Sequence, residues 1–435
     1  MARHHDLPAD EHAVAALAAR GLTYALVDPA DPAAYARWSR AANRGFLGAD
    51  PEADFLEQGR LAMLERRHVG VFDPAIAHPD VPVATVNSWP AALAVPGRRV
   101  IEGWAISAVT VAPTHRRRGI ARELLGAELR TAQAAGCALA MLTVSESGIY
   151  GRFGFASAAQ ASTWRIDTRR VTWTGPTPSG RVEFITHDEY LADATALHAA
   201  TLDGQPGEIA MWLGRWQQRA GVLSDDSALA RKTRAIRYVD PHGATRGVAT
   251  YRLSGGDDDF TSHTLEVSHL WAPHPDAHAA LWRFLLEHDL VTEVTAHLMR
   301  VDDPLRWSIG DWRAATVSVA DHQYLRLLDV PAAFTARGYD GTGTIAFDVD
   351  DPAGFATGTW VIHVADGHAT VEQREAHGIP TLGLGVAELS ALYLGGVRAT
   401  DLVFAGRARE ATPGSARAAD AVLHSLVEPS LSGWY

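Results

Sequence analysis

The sequence predicts a mixed α/β protein that is built from three successive units. Its 435 residues are enough for two to four domains of roughly 100–200 residues each. Residues 104–144 carry a strand pattern, a helical pattern and a second strand pattern, which is the order of a βαβ unit with parallel strands. The order of strand, Ala-Pro, loop and helix recurs in residues 265–289, and residues 321–435 mix strand and helix patterns. We therefore expect the α/β class, with mixed sheets.

The pattern also places the boundaries of the units. Residues 1–22 precede the first strand-like segment and form an N-terminal extension. The first unit covers residues 23–170 and ends in a Pro-, Gly- and Thr-rich linker, TRRVTWTGPTPSG. The second unit covers residues 171–320, and the third covers residues 321–435.

The first unit contains the clearest elements. Trp104 to Val111 alternates as a strand does, and a helix then runs to about Gly136, which is a C-cap candidate. The apolar positions that recur at helical spacing are Ile120, Leu124, Leu125 and Leu129. Residues 138–144, ALAMLTV, indicate a buried strand. A helix that links two strands in this way predicts that the strands are parallel.

The second unit repeats part of the first. In LEVSHLWAPHPDAHAALWRFLLEHD, Ala272-Pro273 occupies the same place between strand and helix as Ala112-Pro113. The loop differs, because HPDAH stands where the first unit has HRRRG. We interpret this as a duplicated fold that kept its core and lost an anion site.

The third unit combines strands with amphipathic helices. GTIAFDVDD and GTWVIHVADGHATVEQ predict sheet strands. GVAELSALYLGG and SARAADAVLHSLV predict helices that have Gly or Pro signals at their ends.

Composition excludes several classes of protein. The formal net charge of -12 argues against nucleic acid as the main partner and favours attraction of cationic small molecules. Cys137 is the only cysteine, so an intramolecular disulfide or a cysteine-cluster metal site is excluded, and no H-E-x-x-H spacing indicates a metal. Lys232 is the only lysine, which makes Schiff-base chemistry improbable. No apolar run has membrane-span length and no signal-like segment opens the chain, so we expect a cytoplasmic protein without a membrane partner.

Three arginines and a glycine lie where the first strand passes into the helix. A helix N-terminus exposes backbone N–H groups and a partial positive charge, glycine admits close approach of a ligand, and the arginines add positive field. HRRRG, residues 115–119, therefore predicts a pyrophosphate site, although the run alone also fits a solvated arginine stretch. It is neither a P-loop nor a Rossmann motif.

Two motifs resemble one known family. V-A-P-x-x-R-x-x-G-x-A at residues 111–121 resembles the acetyl-coenzyme A loop of GNAT N-acetyltransferases. SESGIYGRFGFASA at residues 145–158, together with HRRRG, resembles the enhanced intracellular survival (Eis) family within that superfamily. The resemblance implies an active GNAT domain, a degenerate second GNAT domain and a C-terminal domain similar to sterol carrier proteins. It also implies a homo-oligomer, namely a hexamer.

The resemblance assigns the donor site and the general acid. Acetyl-CoA would be the acyl donor, with no metal, and the backbone of Val109, Thr110 and Val111 would hold its pantetheine arm. The pyrophosphate would be wrapped by Arg117, Arg118, Gly119, Ile120, Ala121 and Arg122. Ser145 and Glu146 would contribute through their backbone. Tyr150 would protonate the departing thiolate; considered alone, it could equally be a tyrosine packed in a turn.

The resemblance also assigns a base to the end of the chain. Family members use the carboxylate of their last residue, here Tyr435, and SLSGWY is compatible with an inserted tail although termini commonly fray. Glu102 is the reserve candidate for the base. Cys137 is interpreted as a core residue, and His115 as a flank of the arginine loop.

These assignments predict an N-acetyltransferase that acts on a primary amine of a small molecule, aminoglycoside-like or other, or on lysine. Phe46 and Trp434 would line the acceptor pocket. Aminoglycoside-acetylating members carry acidic side chains where this chain has Gly45 and Trp434, so activity on aminoglycosides is in doubt. Nearby acidic residues that could compensate are Asp50, Glu52 and Asp54. The alternative is a non-enzymatic carrier that binds CoA or a lipid.

Overall fold

A computed structural model of the chain describes residues 7–223 and 231–435. These residues form two compact units, which divide the chain differently from the three units of the sequence. The first unit consists of residues 7–159, 322–427 and 434–435, and the second consists of the remaining described residues. The predicted mixed α/β class is confirmed.

The described residues contain strands and helices that alternate along the chain. The strands are β1 (Thr23–Val27), β2 (Arg67–Phe72), β3 (Ala84–Val95), β4 (Arg99–Val111), β5 (Leu139–Thr143), β6 (Ala156–Asp167), β7 (Arg181–Ile185), β8 (Arg234–Val239), β9 (Thr245–Gly255), β10 (His263–Trp271), β11 (Val291–Met299), β12 (Ala315–Leu327), β13 (Gly343–Asp350), β14 (Gly358–Ala365), β15 (His368–Gln373), β16 (Thr381–Gly385) and β17 (Ala408–Glu410). The helices are α1 (Glu11–Ala18), α2 (Pro32–Gly45), α3 (Ala53–Ala62), α4 (Ile120–Ala134), α5 (Ser147–Tyr150), α6 (His187–Thr201), α7 (Leu213–Ala220), α8 (Pro275–Leu286), α9 (Val330–Ala336), α10 (Val386–Leu392), α11 (Ala399–Phe404) and α12 (Ser415–Leu423).

In the first unit, the predicted βαβ arrangement is confirmed. Strands β1 to β5 lie side by side in chain order, and β12 pairs with β5 through residues 323–327. The β4 and β5 strands are parallel and are joined by α4, whereas the other pairs of this sheet are antiparallel. Strand β4 begins at Arg99, earlier than its alternating pattern indicates, because it pairs with β3 along its length.

Strands β4 and β5 separate after two paired positions. Trp104 pairs with Ala140 and Ala105 with Met141, and β4 then continues without β5 as its neighbour. Beside this point the register of β3 against β4 shifts, and Ala108 adopts a positive φ of 53°. The Thr85 hydroxyl donates a hydrogen bond of 2.8 Å to the Ala108 carbonyl and so fixes the irregularity. A β-bulge of this kind redirects a strand, and here it leaves one edge of the end of β4 open.

The core of the first unit includes the segment that was expected to be an extension. Ala13 and Leu17 of α1 are fully buried in the same apolar cluster as Leu124 of α4. Trp104 donates a hydrogen bond of 3.0 Å to Glu128 on α4, and both side chains are buried. The described part of residues 1–22 is thus packed onto the first sheet and its helix.

The second unit has the repeated order that the sequence predicts. Its sheet runs β6-β11-β10-β9-β8-β7, and β10 and β11 are parallel strands joined by α8. The fully buried Leu281 and Trp282 of α8 pack in a cluster with Leu265 of β10. The strand, Ala-Pro and helix order therefore gives the same local fold in both units.

Residues 330–427 form the predicted mixture of strands and helices within the first unit. A separate sheet runs β15-β14-β13-β16-β17, with β13 and β16 parallel. GTIAFDVDD forms β13, GTWVIHVADGHATVEQ forms β14 and β15, and the two predicted helices are α10 and α12. No helix in the described residues has the length and apolarity that a bilayer crossing requires.

Candidate active site

The arginine loop makes a sharp turn immediately before α4. A short 3-10 helix, Pro113–His115, leads into Arg117 at φ 63° and Gly119 at φ 76°. Gly119 is the N-cap of α4 and has no side chain to bond the first helical N–H groups. Such groups carry partial positive charge and are suited to bind an anion. The left-handed backbone explains the glycine, because other residues are strained in this conformation.

A cleft of about 600 Å³ connects this loop with Tyr150. It contains twelve of the fifteen residues that the sequence analysis assigned to the site: Phe46, Val109, Thr110, Val111, Arg117, Gly119, Ile120, Ala121, Arg122, Ser145, Glu146 and Tyr150. Arg116, Arg152 and His115 also line it, and Glu146 is the one acidic residue among the described residues of the lining. The lining is therefore strongly cationic, in contrast to the net charge of the chain.

Arg118 does not line this cleft, although the resemblance placed it there. Its Nη1 lies 3.5 Å from Oδ2 of Asp73. The same carboxylate oxygen lies 3.0 Å from Nε2 of His115, whose other ring nitrogen is 2.8 Å from the Thr114 hydroxyl. The Ala75 N–H, the His115 ring and Arg118 hold the pKa of Asp73 below its ordinary value. His115 thus does more than flank the loop, because it is buried and joins the loop to Asp73.

Arg20 supports the loop from the N-terminal segment. Its Nη1 donates a hydrogen bond of 2.9 Å to the carbonyl of Arg118, and its Nη2 donates one of 2.9 Å to Glu123 on α4. A Cβ atom added at Gly119 would lie 2.5 Å from Nη1 of Arg20. Arg20 and Asp73 were not identified from the sequence, because neither stands in a motif or near the loop in sequence.

We expect replacement of Arg20 by alanine to weaken the binding of acetyl-CoA. The variant loses a charged hydrogen bond that fixes the loop, and partial exposure limits the loss to about 0.5–1.5 kcal/mol, or roughly two- to tenfold in Kd. Calorimetric titration with acetyl-CoA measures the change. Arg37→Ala is the control, because Arg37 is equally exposed at 37% and pairs with Asp80. Equal Kd values for the two variants would contradict the role of Arg20.

Tyr150 lies at the end of the one-turn helix α5. It is 7% exposed, and its ring packs edge-to-face on Phe155 with ring centroids 6.2 Å apart. Burial, with the Glu146 carboxylate as a smaller contribution, raises the pKa of the Tyr150 phenol. The phenol is therefore protonated at neutral pH and can donate a proton inside the cleft.

Tyr435, the last residue of the sequence, is packed rather than frayed. It is 7% exposed, and its ring lies edge-on to Trp89 with centroids 5.8 Å apart. The Thr143 hydroxyl donates a hydrogen bond of 3.0 Å to the main-chain oxygen of Tyr435 and lies 3.5 Å from its N–H. Burial raises the pKa of the Tyr435 phenol. Thr143 ends β5 two positions before Ser145, which lines the cleft.

Tyr435 is not among the lining residues of the cleft, and three further candidates also lie outside it. Trp434 is 44% exposed and packs edge-on to His322 at 4.6 Å between ring centroids. Glu102 is exposed on β4, opposite Ala92 of β3. Cys137 is buried, as expected of a core residue, and burial raises the pKa of its thiol to about 12. A thiol of this kind is a poor nucleophile at neutral pH.

The close approach of Gly45 to Thr110 explains why residue 45, which lines the cleft, is a glycine. A Cβ atom at Gly45 would lie 2.4 Å from Cβ of Thr110 on β4, so no acidic side chain fits there without a shift of the strand. Phe46 lines the cleft and is 52% exposed. The acidic residues that could compensate, Asp50, Glu52 and Asp54, are not part of the lining. Within residues 7–223 and 231–435, no group of three or more His, Cys, Asp or Glu side chains is placed to hold a metal ion.

Comparison with known families agrees with this architecture. Residues 27–158 match the family described as acetyltransferase (GNAT) domain, and residues 210–327 match a second family with that description. Residues 330–432 match the sterol carrier protein domain. The predicted succession of two acetyltransferase domains and a sterol-carrier domain is confirmed.

Individual relatives extend the likeness over most of the chain. An uncharacterized N-acetyltransferase of Streptomyces avermitilis is 34% identical over 412 residues, which cover 93% of this chain and 97% of that protein. The N-acetyltransferase Eis of Mycobacterium tuberculosis is 31% identical over 344 residues, or 77% of this chain and 81% of that protein. The crystal structure of Eis1 from Mycobacterium abscessus superposes with a TM-score of 0.80 at 27% identity and covers 95% of this chain and 100% of that one.

Proposed function

The chain belongs to the Eis family of GNAT N-acetyltransferases, and from this premise we propose that it acetylates primary amines with acetyl-CoA as the donor. The protein is accordingly an enzyme of the acyltransferase class and not the non-enzymatic carrier that the sequence left as an alternative. The observation that carries the proposal is the cleft in which the arginine loop, the open edge of β4 and Tyr150 meet. The acceptor is an amine-bearing small molecule or a lysine side chain.

The cleft suits the two ends of an acyl-CoA molecule. Arg116, Arg117, Arg122 and the N-terminus of α4 present positive charge at one end and would bind the pyrophosphate. Strand β4 separates from β5 after Ala105, so backbone groups of residues 109–111 line the gap and can hydrogen-bond the amides of the pantetheine arm. This arrangement would direct the thioester toward Tyr150.

Transfer requires one base and one acid. In the proposed step, the amine nitrogen forms a bond with the acetyl carbonyl carbon and the carbon–sulfur bond breaks. The carboxylate of Tyr435 accepts the amine proton, and Tyr150 donates its phenolic proton to the thiolate. A free α-carboxyl group has a pKa of about 3.3–3.7 and is ionised at neutral pH. The hydrogen bond from Thr143 supports the carboxyl group of Tyr435 at the end of β5.

The acceptor end of the cleft favours amines that do not need several carboxylates for recognition. Gly45 leaves no room for an acidic side chain, and Phe46 offers an apolar surface. We infer that monoamines with an apolar part are better acceptors than polycationic aminoglycosides. A hexameric assembly is part of the proposal, and the mass of the protein in solution tests it.

An amine-dependent thiol-release assay tests the function. The acceptors are arylalkylamines, polyamines, aminoglycosides and lysine peptides, with acetyl-CoA as the donor. We expect thiol release that depends on an amine and is fastest with arylalkylamines.

Extending the chain beyond Tyr435 should impair the same reaction. A short Gly-Ser extension converts the terminal carboxylate into an amide, and we expect kcat to fall by about tenfold or more because a general base is lost. An equal extension at the N-terminus is the control. Full activity of the C-terminally extended chain would exclude Tyr435 as the base, and Glu102 would then be the candidate base to test.

A further inference from the structure

The segment that precedes Trp434 and Tyr435 is bound by the second unit. Residues 428–433 belong to that unit. The Ser430 N–H donates a hydrogen bond of 2.9 Å to the carbonyl of Pro206, and the Gln205 amide donates one of 2.9 Å to the carbonyl of Glu428. These contacts fix the path of the segment before it reaches its last two residues.

Ser432 is held by two buried charges. Glu208 accepts a hydrogen bond of 2.9 Å from the Ser432 N–H and one of 3.1 Å from its hydroxyl. Arg219 donates a hydrogen bond of 2.6 Å to the Ser432 carbonyl. The donor and acceptor groups of the residue are thus engaged by side chains of the second unit, and Glu208 is fully buried.

The surroundings keep Glu208 charged. Burial alone would raise its pKa, but His198, whose Nε2 lies 3.3 Å away, Arg219 and the Ser432 N–H outweigh it, so the pKa is lowered. Buried charges are unfavourable unless they are paired and hydrogen-bonded. Here the Ser432 main chain supplies part of that compensation, which makes the contact between the tail and Glu208 specific.

Gly433 completes the contact with Arg219. A Cβ atom at this position would lie 2.7 Å from Nη2 of Arg219 and 2.8 Å from Cε of Met211. A larger residue at this position would force the ends of these two side chains to move and would so disturb the contact of Arg219 with Ser432. Tyr435 follows two residues after this contact.

We propose that Glu208 and Arg219 are positioning residues that fix the tail at Ser432 and thereby set the position of the Tyr435 carboxylate. The inference rests on the proposed function, in which that carboxylate is the base. It gives the second domain a purpose in catalysis although its own loop, HPDAH, lacks the arginines of a donor site. The domain acts through the covalent chain and does not itself touch the reacting atoms.

A double-mutant cycle with acetyl-CoA and the best acceptor amine tests the proposal. Glu208→Gln keeps the shape of the side chain and removes its charge, and we expect kcat to fall roughly 10- to 100-fold, the scale of a misplaced catalytic group. The KM and the Kd for acetyl-CoA should stay within about twofold, because the donor cleft is unchanged. In the chain extended beyond Tyr435, where the terminal carboxylate has become an amide, the same substitution should cause no further loss of kcat.

The control is a second buried carboxylate of the same domain. Asp303 is 8% exposed and its Oδ1 lies 3.1 Å from Nε2 of His278, but it does not contact the tail. Asp303→Asn should leave kcat unchanged in both backgrounds. Where Glu208→Gln does not fold, Ser432→Ala removes one of the two contacts to Glu208 and should lower kcat in the same selective way.

Each result separates the two proposals. A loss of kcat by Glu208→Gln that is equally large in the unextended and the C-terminally extended chain would overturn the positioning role and leave the terminal base intact. Unchanged kcat for Glu208→Gln, or an equal loss of kcat for Asp303→Asn, would also overturn the positioning role alone. If the C-terminal extension itself leaves kcat unchanged, the assignment of the base fails, and the positioning role fails with it.

Discussion

We expect replacement of Tyr150 by phenylalanine to lower kcat by about two to three orders of magnitude, the contribution of a well-placed general acid. The Kd for acetyl-CoA should stay within about twofold, because only one oxygen atom is removed and the ring remains against Phe155. In the proposed function the donor is held by the loop and by β4, neither of which depends on the hydroxyl. Steady-state kinetics and calorimetry on the same protein measure the two quantities.

The control for this variant is a tyrosine that is equally buried but outside the cleft. Tyr24 is 4% exposed in the same core cluster, and Tyr24→Phe should leave kcat unchanged. A pH profile adds a second criterion. Since burial raises the pKa of Tyr150, its protonated form persists up to and above the ordinary phenol value of about 10, so loss of kcat through its ionisation should begin above that pH. Full activity of Tyr150→Phe would remove the residue as the acid.

Local patterns were sufficient to predict the elements that carry the proposed donor site. The alternation of residues 104–111 and the helical spacing from Ile120 to Leu129 predicted strand and helix, and the parallel pairing of β4 with β5 followed from the helix between them. Gly119 was predicted as the turn before the helix and is its N-cap. These features depend on neighbours in sequence, and for this reason periodicity is informative about them.

Contacts between distant residues could not be predicted. His115 and Asp73 are 42 residues apart, Arg20 and Arg118 are 98 apart, and Ser432 and Glu208 are 224 apart. Each pair forms only because the sheet and its helices bring the two segments together. A single sequence carries no periodicity or motif that joins such residues, so the residues that support the loop and the tail remained unidentified.

The N-terminal segment carried a signal that could have been used. EHAVAALA places Ala13 and Leu17 at helical spacing behind Asp10, and the Asp10 side chain accepts a hydrogen bond of 2.8 Å from the Ala13 N–H as an N-cap does. The two apolar residues are fully buried. An apolar stripe with a capping residue indicates a packed helix, and its partner could not be identified without the structure.

Replacing Gly119 by aspartate should raise the Kd for acetyl-CoA by about 100-fold or more, equivalent to roughly 3 kcal/mol. Aspartate tolerates the left-handed backbone better than most residues do, so the φ of 76° contributes only a part of this loss. A second part arises because the new side chain must displace Arg20, whose Nη1 would lie 2.5 Å from the added Cβ. The carboxylate also adds negative charge where the loop would bind the pyrophosphate.

Two matched variants separate these causes. Gly119→Asn has nearly the same shape without the charge, so its Kd should lie between those of the wild type and Gly119→Asp. Gly136→Asp makes the same change at a glycine with φ 82° beyond the other end of α4, where an added Cβ meets no atom within 4 Å. Gly136→Asp should therefore bind acetyl-CoA as the wild type does. Wild-type affinity in Gly119→Asp would instead mean that the pyrophosphate does not lie at this loop, and the arginines there would have to be explained as a solvated surface.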